Sequence, residues 1–165
     1  MRTSGAQPVD QPLVLEITSD TRHLAGVRVA VLGAAQAVGF VEPQLSGIAL
    51  AIDEALTNVI RHGYRGQSGR PIQVTIQPVR RGEGCGIEVT ICDCCPQVDP
   101  ATIMGRDLGD VRPGGLGTHI IRTVMDEVEY TKREPAGMRL RLLKMLGEGG
   151  TGPRVGGSDP TREKS

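Results

Sequence analysis

The spacing of hydrophobic positions changes period several times along the chain, and each change marks an element. "LVLEI" (13–17) is a short apolar run that reads as a first strand. From Leu24 the period turns helical: Leu24, Val27, Val31, Ala35 and Val38 recur on one side. Ser19, Asp20 or Thr21 can cap the start of that helix, and Gly39 ends it. A second helix is predicted from about Glu42 to His62, with Gly63 as its stop signal. Its apolar face is Leu45, Ile48, Ala49, Ile52, Leu56 and Val59. The period then drops to two. Ile72, Val74 and Ile76 share one face of "IQVTIQ" (72–77), and Ile87, Val89 and Ile91 share one face of "IEVTIC" (87–92). "RRGEGCG" between them has turn chemistry, so the two runs pair as a hairpin. After an irregular stretch (93–115), "LGTHIIRTVM" predicts a short helix. "DEVEYTK" and "MRLRLLKML" close the pattern as a second hairpin around "REPAG".

Strand, two helices, hairpin, loop, helix, hairpin is an α+β order. It predicts one mostly antiparallel sheet with helices on one face. The ends, 1–11 and 147–165, are rich in Gly, Pro, Ser and charge and are expected to be disordered tails around a single domain at 12–146. The 93–115 stretch is long for a structureless loop in a small domain, and such loops are usually functional.

Composition removes several function classes. Lys plus Arg and Asp plus Glu are equal at 19 each in 165 residues, so no net charge draws the chain to nucleic acid or a membrane surface. Two Tyr, one Phe and no Trp leave no base-stacking platform and require an aliphatic core. There is no apolar run long enough to span a bilayer, and "MRTSGAQPVDQP" has no signal-peptide core, so the expected compartment is the cytoplasm. The four Cys are then expected to be reduced, and "CDCC" with Cys85 matches zinc-ligand spacing poorly; small buried residues are the expected role.

Three segments carry candidate chemistry. In "AIDEALTNVIRHGY" (51–64), Glu54 and Asn58 lie one turn apart, opposite the apolar face, with small Gly47 and Ala51 beside them. "GGLG" (114–117) opens a helix, where free N–H groups and close backbone approach suit phosphates. Asp93 ends a buried-type strand, where its carboxylate can accept from an amine in a pocket. Taken singly, each has an ordinary reading: a solvated helix face, a Gly turn, a turn-forming Asp.

Together and in this order, "DEALTNVIRHGY", "CDCCPQVDP" and "PGGLGTHIIRTVMDEVEY" resemble the GHKL ATPases, and more closely the anti-sigma factor serine/threonine kinases of bacterial partner-switching systems. The resemblance spans roughly residues 13–145. It implies a two-layer α/β sandwich that binds ATP and Mg²⁺, and a kinase that phosphorylates a small anti-anti-sigma (STAS-type) protein and sequesters a sigma factor or another output protein. It further implies roles. Asn58 would bind the magnesium ion, and Glu54 would act as base for the attacking hydroxyl. Arg61 would reach phosphate, and Asp93 would accept from the adenine amino group. Gly114, Gly115, Leu116, Gly117 and Thr118 would line the phosphates beneath a lid. Family members often form homodimers.

The chain departs from the pattern at three places. Asp93-Cys94-Cys95 stands where Asp-x-Gly is usual, Thr118 where an aliphatic residue is usual, and Met138 where Asn is frequent. The first departure opens an alternative, a nucleotide-gated binding module without kinase activity. A histidine-kinase catalytic fragment would need an upstream helix pair bearing a phospho-acceptor His, which the pattern does not supply. Cys94 and Cys95, beside the adenine position, would allow thiol oxidation to tune nucleotide binding.

Overall fold

The computed structural model describes residues 7–8, 11–104 and 115–147. Six strands form one antiparallel sheet: β1 (Gln7–Pro8), β2 (Leu13–Thr18), β3 (Pro71–Arg81), β4 (Gly84–Asp93), β5 (Glu127–Lys132) and β6 (Met138–Met145). The order across the sheet is β1-β3-β4-β6-β5, and β2 also pairs with β3. β2 pairs along Pro71–Ile76 and β1 along Val79–Arg80, so the two lie in tandem on one edge of β3. Two residues of the expected N-terminal tail therefore belong to the sheet. The expected C-terminal tail lies outside the described residues apart from Gly147.

Among the described residues there are also four α-helices: α1 (Leu24–Val38), α2 (Gln44–Asn58), α3 (Pro100–Met104) and α4 (Gly115–Val124). The aliphatic faces anticipated from spacing meet in one core. Val27, Val31 and Ala35 of α1, with Ile48, Ile52 and Leu56 of α2, pack on Ile72, Val74, Ile76, Ile87, Val89 and Ile91 of the sheet, all at most 1% exposed. Burying each of the Val, Ile and Leu side chains among them stabilises the fold by about 1.5–3 kcal/mol. The architecture is the α+β arrangement of helices over one sheet face.

The element ends differ from the pattern for identifiable reasons. Of the three possible caps before α1, Asp20 acts: its carboxylate accepts from Arg22 N at 3.0 Å over a 3₁₀ turn at Thr21–His23. Ser19 instead ties down the loop before β3, donating to Gln67 O and accepting from Arg70 N. Gly39 takes the left-handed C-cap, with φ 118°. The first hairpin needs two loop residues, Gly82 and Glu83, so Arg80 and Arg81 remain in the ladder and both strands are longer than their alternating cores.

α2 starts at Gln44, later than the predicted Glu42. Glu42 stays outside and accepts from Ser46 N and Oγ. It ends at Asn58 and continues as a π turn, Val59–Gly63. Gly47 and Ala51 do not border open space beside Glu54, as the helical wheel implied. Ala51 is 0% exposed, and a Cβ on Gly47 would lie 3.5 Å from Val124, because α4 packs along that side. Within the stretch expected to be irregular, Asp99 starts α3: its Oδ1 accepts from Ala101 N at 3.0 Å. Residues 105–114, including Gly114, lie outside the described residues.

Candidate nucleotide site

Where α2 ends, β4 ends and α4 begins, the helix layer and the sheet leave a cavity of about 350 Å³. That is within the usual range for a small-molecule site. Asn58, Val59, His62, Gly63 and Arg65 line it from the end of α2, and Asp93, Cys95 and Pro96 from the end of β4. Val98, Thr102, Ile103 and Thr118 contribute from the α3 and α4 side, and Tyr130, Met138 and Leu140 from the second hairpin.

The sheet side is fixed by hydrogen bonds around Asp93, which is 6% exposed. Its Oδ1 accepts from Cys95 N at 2.8 Å and Met138 N at 3.0 Å, while its backbone oxygen accepts from Arg133 Nη1 at 2.8 Å. Both observed side-chain contacts use Oδ1. A carboxylate has four lone-pair positions, so acceptor capacity remains on a buried group that borders the cavity. The second hairpin has to come close to make these bonds. A Cβ on Gly137, at φ 99°, would lie 2.0 Å from Asp93 O, so this turn position is closed to other residues.

Tyr64 links the two layers. Its hydroxyl donates to Pro71 O at 2.5 Å and accepts from Cys94 N at 2.8 Å, and the Arg70 guanidinium lies 5.9 Å from the ring centre. Burial pushes the Tyr64 hydroxyl up to about 12. Cys95 fills the space between the layers: a Cβ on Gly63 would lie 2.4 Å from its Sγ. Burial, with Asp93 beside it, pushes the Cys95 thiol up to about 12, so the thiolate needed for oxidation is disfavoured. Cys94 is exposed and is not among the cavity-lining residues. No three metal-ligating side chains cluster among the described residues.

This packing explains the π turn. Tyr64 N reaches back five residues to Val59 O at 2.8 Å, and Gly66 N reaches Ile60 O at 2.8 Å. The wider turn lets Gly63 seat on Cys95 while Tyr64 reaches β3. π turns of this kind concentrate at functional sites.

The helix side is polar. A Cβ on Gly117 would lie 2.5 Å from Glu54 Oε2 and 3.5 Å from Asn58 Nδ2, so the first turn of α4 approaches both side chains with bare backbone. Neither Glu54 nor Asn58 has a side-chain hydrogen bond among the described residues. The structure thus brings Asn58, Asp93 and Thr118 to one cavity and sets Glu54 beside Gly117 at its border. Gly115 begins α4, and Leu116 is 70% exposed. Arg61 is exposed and absent from the lining, where His62 and Arg65 stand.

Gly63, which lines the cavity, and Tyr64 and Gly137, which hold its walls together, were not singled out by sequence reasoning. Gly63 read as a helix stop, and Gly137 as one residue of a turn. Tyr64 had one available signal: it is one of two Tyr in a chain nearly free of aromatics. His62 and Arg65 carried no signal of their own: His62 stood at the end of the predicted helix and Arg65 beyond its Gly63 stop.

Comparison with known proteins matches most of the chain. A family model described as histidine kinase-like ATPase domain matches residues 17–144. The serine-protein kinase RsbW of Halalkalibacterium halodurans is 27% identical over 162 residues, covering 93% of this chain and 96% of that protein. The protein of the same name from Bacillus pumilus is 24% identical over 141 residues, covering 80% and 84% respectively. That from Listeria innocua is 25% identical over 144 residues, covering 82% and 88%. No helix among the described residues is long and apolar enough to cross a membrane.

Proposed function

The chain belongs to the histidine kinase-like ATPase domain family, and on that premise we propose that it is an ATP-dependent serine/threonine kinase of the anti-sigma, partner-switching type. It phosphorylates a small STAS-type anti-anti-sigma protein and, when that protein is modified and released, holds a sigma factor or another output protein in the cytoplasm. The observation that carries the nucleotide reading is Asp93: a buried carboxylate with unused acceptor capacity, facing a cavity that also holds Asn58. An exocyclic amine of adenine is the complementary donor.

The residues present also fit a magnesium ion. Asn58 offers a neutral oxygen, and the bare backbone at Gly117 lies close to its side chain and to the Glu54 carboxylate. When bound, the ion neutralises phosphate charge during transfer. Asn58 would hold it, and the backbone at Gly115 and Gly117, with Leu116 and Thr118, would approach the phosphates. Glu54 accepts the proton of the incoming Ser or Thr hydroxyl. Phosphorylation adds negative charge to the partner, which weakens its docking.

The test is calorimetry with ATP, with and without Mg²⁺, followed by transfer from radiolabelled ATP to the partner. Asn58→Ala is expected to abolish the Mg²⁺-dependent part of binding. Glu54→Ala is expected to keep ATP affinity and slow transfer by about 10²–10⁴-fold. Transfer by Glu54→Ala at the wild-type rate would remove the base. ATP binding without any partner phosphorylation would favour the nucleotide-gated module instead, a reading supported by Cys95 standing where the family usually has Gly.

A further inference from the structure

We propose that Arg65, rather than Arg61, is the cation that holds the polyphosphate of the nucleotide; this rests on the nucleotide reading of the cavity. The π turn at Val59–Gly63 inserts a residue into the helical register just after Asn58. Arg61, which regular helix spacing places one turn beyond Asn58, is exposed and does not line the cavity, whereas Arg65 does. Among the described lining residues, Arg65 is the permanent cation and Asp93 the buried anion. Asp93 can accept from a donor group of a ligand in this cavity, and Arg65 can donate to an anionic one.

The backbone supports the assignment independently. Arg65 sits at φ 53°, in the left-handed region. At five other described positions where the chain adopts positive φ, the residue is glycine: Gly39, Gly66, Gly69, Gly82 and Gly137. An unbranched but long, charged side chain in that conformation is unfavourable for the turn itself, and such departures concentrate at ligand-binding positions. Arg65 makes no ion pair with any described residue, so no internal partner accounts for the choice. Its guanidinium is free to present paired donors to phosphate oxygens.

The experiment compares ATP and adenosine binding to the full chain as wild type, Arg65→Gly and Arg65→Lys, alongside thermal melting. Arg65→Gly is expected to melt at the same temperature or higher, because glycine suits the turn. Its ATP affinity is expected to fall about tenfold while adenosine affinity is unchanged. Arg65→Lys is expected to recover part of the loss, and the difference from wild type is expected to shrink at high salt. Arg65→Asn, which tolerates the same φ, replaces Arg65→Gly should the latter fail to fold. Equal ATP affinity in wild type and Arg65→Gly overturns the proposal, as does a parallel loss for adenosine. If the wild type binds neither ligand, the nucleotide reading falls and takes this assignment with it. If it binds both and Arg65→Gly is unaffected, Arg65 alone is wrong.

Discussion

On the sheet side of the cavity, Asp93, Tyr64, Cys95 and Met138 are tied to backbone groups or packed against them, and each is buried. On the helix side, Glu54, Asn58, His62 and Arg65 are half-buried or exposed, and their side chains make no hydrogen bond to another described residue. The first wall is built before any ligand arrives. The second is a set of polar groups placed near one another by backbone alone, through the π turn and the bare first turn of α4. The contrast suits a ligand that is rigid at one end and charged at the other. A fixed acceptor can select the rigid end by hydrogen-bond geometry, while flexible cations and neutral oxygens adapt to the charged end.

The comparison is broken most severely at Gly137. Gly137→Ala places a Cβ 2.0 Å from Asp93 O at a φ of 99°, so the second hairpin has to withdraw from the sheet wall. We expect a loss of about 3 kcal/mol or more in urea unfolding. ATP affinity should fall with it, because Met138 N no longer meets Asp93. An unchanged unfolding midpoint would show that the wall is not rigid.

Asp93→Asn sharpens the contrast without breaking the wall. The amide oxygen of Asn can still accept from Cys95 N and Met138 N. Its NH₂ group then replaces the free carboxylate oxygen and turns an acceptor into a donor facing the ligand. We expect melting within a few degrees of wild type and a loss of about 100-fold in ATP affinity by calorimetry, since one charge-assisted bond becomes a donor–donor clash. ATP binding at wild-type strength would move the base elsewhere in the cavity.

How much of this was legible in the sequence follows the same divide. The core and the sheet were legible because Val27, Val31 and Ala35 at helical spacing, and Ile72, Val74 and Ile76 at period two, are direct consequences of one-sided burial. Asp93 and Asn58 were singled out because their segments resemble a family, and both line the cavity. The details that tune the site were not. Whether the helix ends as α or π depends on Cys95 pressing on Gly63 and on Tyr64 reaching Pro71 O, contacts that span 32 and 7 positions of sequence. Periodicity carries no information about such contacts, and the resemblance that pointed to Arg61 carries none about the π turn that follows Asn58. Periodicity also left Gly47 and Ala51 facing a ligand, when α4 covers them. The wheel gives an angle around one helix and says nothing about the neighbour that fills it.

The smallest expected effect separates the two walls by pH. A Cys in an unfolded chain loses its proton near 9.0 and a Tyr near 10.0, whereas folded Cys95 and Tyr64 hold theirs until about 12. Folding thus binds protons that the unfolded chain releases. The contribution of these two groups is complete below pH 9 and is lost as pH rises from 9 toward 12. The unfolding midpoint in urea should therefore decline over that window. Cys95→Ala should flatten the part that begins near pH 9, and Tyr64→Phe the part that begins near pH 10. At neutral pH, Tyr64→Phe should cost about 1–2 kcal/mol, because Cys94 N loses its partner and Pro71 O loses a donor. Arg65→Gly, on the open wall, should leave the alkaline decline as it is in wild type. An alkaline profile identical in wild type, Cys95→Ala and Tyr64→Phe would mean that the sheet-side groups are solvated, and the two walls would then not differ in the way their hydrogen bonds imply.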